Sequence, residues 1–183
     1  MKLWPWLLGG TAALWWWSTQ TESGQQTALT VIDTGVDMLN QLGLQTPDQV
    51  NNYNKYKPYI DQASANYEIP VGVLDKLLRT ESSYLTNIIN GTKRSGVGAI
   101  GIAQFMPATA ASMGFDPTDP LASINAAGKY LAQLYRMFQD WPSAVAAYNW
   151  GPGNVKRKGL ANAPQETVNY VQKILGVDIT ADA

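Results

Sequence analysis

One carboxylate stands where a carboxylate is hard to explain. In "VLDKLLRTESSY", residues 73–84, Leu74, Leu77, Leu78 and Glu81 fall at i, i+3, i+4 and i+7, the spacing of one helical face. Asp75, Lys76 and Arg79 lie off that stripe, so the helix has another side on which charge can be solvated. A carboxyl in apolar surroundings loses the hydration of its charged form, so its pKa rises and it stays protonated near neutral pH. That is the requirement for a general acid. Spacing alone leaves a second reading open, in which Glu81 sits at the edge of the stripe, or pairs with a nearby Lys or Arg, and is structural.

Three further stretches carry groups that could assist such an acid. "SAVAAYNWGPGNV", residues 143–155, reads as a small-residue helix ending in Tyr148-Asn149 before a Gly-Pro-Gly turn. A hydroxyl and an amide at a helix end suit sugar recognition, and they equally suit a plain C-terminal turn. "SGVGAIGIAQFMP", residues 95–107, packs Gly96, Gly98 and Gly101 into a loop that lets the backbone approach a flat ligand or a neighbouring helix. Its "GVGAIG" matches GxGxxG in form, but no strand precedes it and no βαβ pattern surrounds it, so it does not read as a dinucleotide site. "PQETVNYVQKIL" places Glu166 and Tyr170 one turn apart, which alone is only an amphipathic helix.

Composition removes most other chemistry. The 183 residues include no histidine and no cysteine, so zinc and iron–sulfur sites lose their usual ligands. Ser-His-Asp and Cys-His catalysis fall away with them, leaving carboxylates, hydroxyls, amides and lysines. No metal and no cofactor are expected. A net charge of −1 gives no basic face for nucleic acid, and Lys156-Arg157-Lys158, the tightest basic cluster, reads as a solvated loop.

The elements that must position these groups read as helices throughout. Pro58, Pro70, Pro107, Pro120, Pro142 and Pro164 each stand where a helix could begin, a place that needs no N–H. Residues 119–139 carry Leu121, Ile124, Leu131, Leu134 and Phe138 on one side, with Asp119 as N-cap. No period-2 run is evident, and the fold class is all-α. Leu29, Ile32, Val36 and Leu39 mark an amphipathic helix over residues 26–42 with Gly43 as its stop. Four parts follow: a membrane anchor or signal segment at 1–20, a linker with the short helix at 21–52, a catalytic domain at 53–176 and a tail at 177–183.

Residues 3–17, "LWPWLLGGTAALWWW", contain no charge and follow Lys2. As a helix they reach about 22 Å, short of a hydrocarbon core of about 30 Å. That length suits a signal peptide. The absence of a small-x-small site and the belt of Trp15, Trp16 and Trp17 favour a retained anchor. Met1 and Lys2, the nearby positive charges, put the rest of the chain on the non-cytoplasmic side, in a periplasm or with a phage virion membrane.

Taken in order, Glu81-Ser82, Ser95 ahead of "GAIGIAQFMPATA", "AYNWGPGNV" and "ETVNYV" resemble the soluble lytic transglycosylase domain over about residues 56–176. The resemblance implies a lysozyme-like helical fold that cleaves peptidoglycan. It makes Glu81 the catalytic acid and base, with Ser95, Gln104, Tyr148, Asn149 and Tyr170 lining or supporting the glycan groove and Ser82 and Glu166 in supporting places. Glu81 would protonate the glycosidic oxygen between N-acetylmuramic acid and N-acetylglucosamine. As carboxylate it would then deprotonate the C6 hydroxyl, closing a 1,6-anhydro ring. Two departures stand out. The usual Gly-Leu-Met-Gln reads Gly101-Ile102-Ala103-Gln104, which removes a methionine expected against the sugar, and "YLTNIINGTKRSG" is longer than in most members. Two rivals are a hydrolytic goose-type lysozyme and a membrane-tethered glycan-binding module without turnover. The implied setting is local wall opening by a secretion or conjugation machine, or by a phage particle.

Overall fold

The computed structural model describes residues 39–41 and 43–180. The chain divides into two compact units, 1–45 and 46–183. In the first, Gly43 at φ +62° ends a helix: its N–H donates to Asn40 O and that of Leu44 to Leu39 O, both at 2.9 Å. The charge-free segment at 3–17 and most of the helix expected at 26–42 lie outside the described residues. Among those described, no helix is long and apolar enough to cross a membrane.

The second unit is built from helices α1 (Pro47–Asn66), α2 (Val73–Ser82), α3 (Thr86–Ile89), α4 (Pro107–Met113), α5 (Pro120–Phe138), α6 (Trp141–Trp150), α7 (Pro152–Lys158) and α8 (Gln165–Leu175). A 3-10 turn, Leu160–Asn162, precedes α8. Among the described residues there is no strand, and Ile100 and Phe105 form one isolated antiparallel bridge. The first helix already runs through position 53, where the sequence places the start of the catalytic domain.

Local chemistry explains most boundaries. Thr46 and Gln49 form a capping box on α1, and the Asp119 carboxylate accepts the N–H groups of Leu121 and Ala122 at the start of α5. Proline opens α1, α4, α5, α6 and α7 within their first two positions. Pro58 departs from the expectation and lies inside α1. It is exposed, so the carbonyl it leaves without a helical donor, that of exposed Asn54, can be met by water. The basic run 156–158 is also not a loop: it forms the exposed last turn of α7, where cations meet the negative end of the helix dipole.

Packing centres on α2 and α6. Leu74, Leu77 and Leu78 are fully buried, as are all four residues Ala144–Ala147 of α6. A helical turn buried on every side must be apolar all round, and the alanines and valine of 144–147 let α5, α7 and α8 close on it. The helix α8 touches both α2 and α6, so it bridges the two segments that carry Glu81 and Tyr148-Asn149. On α5, Leu121 proves to be 43% exposed, whereas Ile124, Leu131 and Leu134 are buried as their spacing predicts.

Candidate active site

Glu81 occupies the last turn of α2, on the face whose leucines are fully buried. Its partner comes from far along the chain: the Tyr170 hydroxyl on α8 donates to Glu81 Oε1 at 2.5 Å. Burial pushes the carboxyl pKa up to about 7 from an ordinary 4.5; the Tyr170 hydrogen bond pulls it down and the negative charge of Glu166 pushes it further up. No cation contributes. Glu81 is thus half-buried and poised near neutrality, the electrostatic condition of a general acid and base. The reading in which a Lys or Arg pairs with it has no support in this geometry.

The turn that follows is unusual. Ser83 and Tyr84 both take left-handed conformations, φ +49° and +54°, which cost non-glycine residues roughly 1–3 kcal/mol each. Buried and half-buried polar groups hold them there. Gln49 Nε2 donates to Ser83 O at 3.0 Å and Asn52 Nδ2 to Tyr84 O at 2.9 Å, both from α1. Ser82 Oγ donates to Leu78 O and accepts the Tyr84 N–H at 3.1 Å. The fully buried Tyr84 hydroxyl donates to Asp75 Oδ1 at 2.6 Å, and burial raises its own pKa. The helix that carries Glu81 therefore ends on a fastened turn.

The facing wall is built from the glycine-rich loop and α6. Residues Ile100–Phe105 form a tight turn with reciprocal hydrogen bonds at 3.0 and 3.1 Å. Gly101 is required there: at φ +81°, a Cβ would lie 1.9 Å from Pro117 O. Its close approach is to a neighbouring loop. Gln104, at φ +48°, returns its side-chain amide to Gly101 O at 2.9 Å. The Tyr148 hydroxyl donates to Ala103 O at 3.0 Å; burial raises its pKa, as does the charge of Glu81, placing the phenol within the field of the acid.

A cavity of about 270 Å³ opens beside this turn, lined in part by Gln104, Met106, Tyr130, Tyr148, Asn149 and Trp150. Phe105, Tyr130 and Tyr148 form an aromatic cluster with ring centroids 5.6 to 6.2 Å apart. Lys158 Nζ sits 5.3 Å from the Trp150 ring centroid. Ala103 is fully buried, so the position that lacks the expected methionine does not reach the surface; Met106, 42% exposed, brings a thioether to the wall.

Of the residues singled out from the sequence, Gln104, Tyr148 and Asn149 share this cavity, while Glu81 and Tyr170 form their own hydrogen-bonded pair. Ser82 closes α2, and Glu166 is exposed at the start of α8. Ser95 Oγ accepts the Ala99 N–H at 2.9 Å, tying the glycine loop rather than joining the cavity lining. Tyr130, Tyr84 and Thr167 were not singled out. Tyr130 lies off the apolar stripe of its helix, which is a legible signal, whereas nothing local marks Tyr84. Among the described residues, no cluster of His, Cys, Asp or Glu could hold a metal ion.

An all-helical unit with this arrangement has the lysozyme-like fold of the lytic transglycosylases. It is similar to lytic transglycosylase Slt from Pseudomonas aeruginosa, solved as an inactive mutant, at 25% identity and a TM-score of 0.55, over 66% of this chain and 22% of that one. Residues 58–171 match the Transglycosylase SLT domain, and the chain belongs to that family. It is 36% identical over 104 residues to the membrane-bound lytic murein transglycosylase D of Escherichia coli K12, covering 45% of this chain and 23% of that protein. It is 32% identical over 117 residues to the transglycosylase of Enterobacteria phage PRD1, covering 63% of this chain and 40% of that protein. The chain thus spans less than half the length of each of these relatives.

Proposed function

We propose that the chain is a peptidoglycan lytic transglycosylase, cleaving the β-1,4 bond between N-acetylmuramic acid and N-acetylglucosamine and leaving a 1,6-anhydro-N-acetylmuramic end. The observation that carries this reading is Glu81: one half-buried carboxyl with its pKa raised to about 7, held by Tyr170. Ordinary glycosidases set two carboxyls across the bond, about 5 to 5.5 Å apart for retention or about 6.5 to 9.5 Å for inversion. Here the other carboxylate nearby, Glu166, is exposed and acts on Glu81 as a repelling charge. One carboxyl suffices when the substrate supplies the nucleophile.

The Glu81 proton passes to the glycosidic oxygen as the bond to C1 breaks. The resulting carboxylate takes the proton of the C6 hydroxyl, whose oxygen bonds to C1. Glu81 ends protonated and no water is consumed. Tyr170 keeps one carboxyl oxygen engaged, and Gln104, Tyr148 and Asn149 bind the sugar on the facing wall with fixed dipoles. Ser95 holds the loop from which Gln104 projects. Digesting purified peptidoglycan and weighing the fragments tests the reading. Anhydro ends, lighter by one water than reducing ends, support it; reducing ends alone mark a goose-type hydrolase, and no release marks a glycan-binding module.

Residues 3–17 serve as a retained anchor, with the catalytic domain of about 53–176 on the non-cytoplasmic side, in the periplasm or with a virion membrane. The charge-free, tryptophan-rich segment beside a polar run supports this. The setting is local wall opening within an envelope machine or phage particle. Full-length chain should fractionate with membranes, and removal of residues 1–20 should release an active domain. A mature N-terminus beginning after Trp17 would overturn the anchor.

A further inference from the structure

Thr167 is 1% exposed and occupies the third position of α8. A threonine inside a helix usually turns its hydroxyl to the carbonyl four residues back. Here that carbonyl belongs to Ala163, which is extended and lies ahead of the helix. The hydroxyl instead crosses to α6 and donates to Asn149 Oδ1 at 2.8 Å. The stiff χ1 of a β-branched residue keeps it aimed there.

The bond decides what Asn149 can offer. Its acceptor oxygen is engaged on the buried side, and Asn149 is exposed and lines the cavity, so the amide N–H groups are the part left for a ligand. One helical turn on, Tyr170 donates to Glu81. A single face of α8 therefore sets both the acid and the amide, although they stand on different helices.

We propose that Thr167 is a positioning residue: by holding Asn149 Oδ1, it commits the amide to donate to an acceptor oxygen of the glycan, such as the carbonyl of an N-acetyl group. The identity of the glycan rests on the proposed function; the orientation of Asn149 does not. If Thr167 only filled space, Val would replace it without loss.

The test compares Thr167→Val, Thr167→Ser, Asn149→Ala and the Val/Ala double variant in the full chain. Rates of release from purified peptidoglycan are read together with melting temperature. The Val variant should lose roughly 10-fold in turnover at little cost in melting temperature, and Ser should restore most of it. Val should add no further loss once Asn149 is Ala. In ¹⁵N spectra, the Asn149 side-chain amide pair should shift on adding an N-acetylglucosamine tetramer, and this response should fade in the Val variant. A Val variant with normal turnover and a normal amide response, or a Val loss that persists beside Asn149→Ala, overturns the proposal. If the wild type releases nothing, the proposed function fails, and the amide response then decides the role of Thr167. Should the Val variant not fold, Thr167→Ala carries the same comparison.

Discussion

The two walls of the site are held in opposite ways. Behind Glu81, the turn at Ser83-Tyr84 is fastened by part-buried hydrogen bonds from Gln49 and Asn52 and by buried ones between Tyr84 and Ser82 and Asp75. The facing wall of Tyr130, Tyr148, Asn149 and Trp150 is half-buried to exposed and made of rings and an amide. A group that must exchange a proton at one place needs a fixed backbone and a dry setting. A wall that binds a sugar needs reachable faces and donors. The polar cost of the first wall is borne inside the protein, while the second leaves ring faces and the Asn149 amide N–H groups at the cavity.

The strongest way to break this contrast is Glu81→Gln, which keeps shape and the acceptor oxygen for Tyr170 but removes the titratable proton. Release of anhydro fragments should fall to background. Stability should move the other way. The folded carboxyl has its pKa raised to about 7, so the native state binds the proton more tightly than the unfolded chain. That contribution is complete below the unfolded value of about 4.3 and is lost as pH rises to about 7. Glutamine escapes the loss. The variant should melt at or above the wild type at pH 7, with the gap closing toward pH 4. An active variant sinks the catalytic assignment, and a variant much less stable at pH 7 makes Glu81 structural.

Asn149→Ala probes the facing wall. Removing one positioned donor costs enzymes roughly 10²- to 10³-fold in rate, and an exposed side chain contributes little packing. Turnover should drop by that order, while stability falls by no more than about 1–3 kcal/mol, the cost of leaving the buried Thr167 hydroxyl without its acceptor. The reverse pattern, a large melting shift with near-normal turnover, would reduce Asn149 to a helix-end residue.

Tyr84→Phe sharpens the contrast from the other side and should affect stability first. It leaves the buried Asp75 carboxylate without that donor, a loss of about 1–3 kcal/mol in urea unfolding. Turnover of the folded fraction should fall far less than in Asn149→Ala. Unchanged stability would mean that the α1 amides and Ser82 hold the left-handed turn without the Tyr84 hydroxyl.

Local patterns carried the helices and the acid. The stripe of Leu74, Leu77, Leu78 and Glu81, the Asp119 cap, the Gly43 stop and the prolines at helix starts all depend on neighbours within a turn or two, so the sequence alone determines them. Pro58 misled because a proline on an exposed helical face can be absorbed by water, which local reading cannot see. The rest depends on which helices meet. Tyr170 reaches Glu81 across 89 positions, and Thr167 reaches Asn149 across 18. No periodicity encodes such pairs, because hydrogen bonding needs two groups within about 3 Å in space, whatever their separation along the chain. The same holds for the pKa of Glu81. The sequence placed it on an apolar face, but only the closing of α8 over α2 removed its water and brought the phenol to its oxygen.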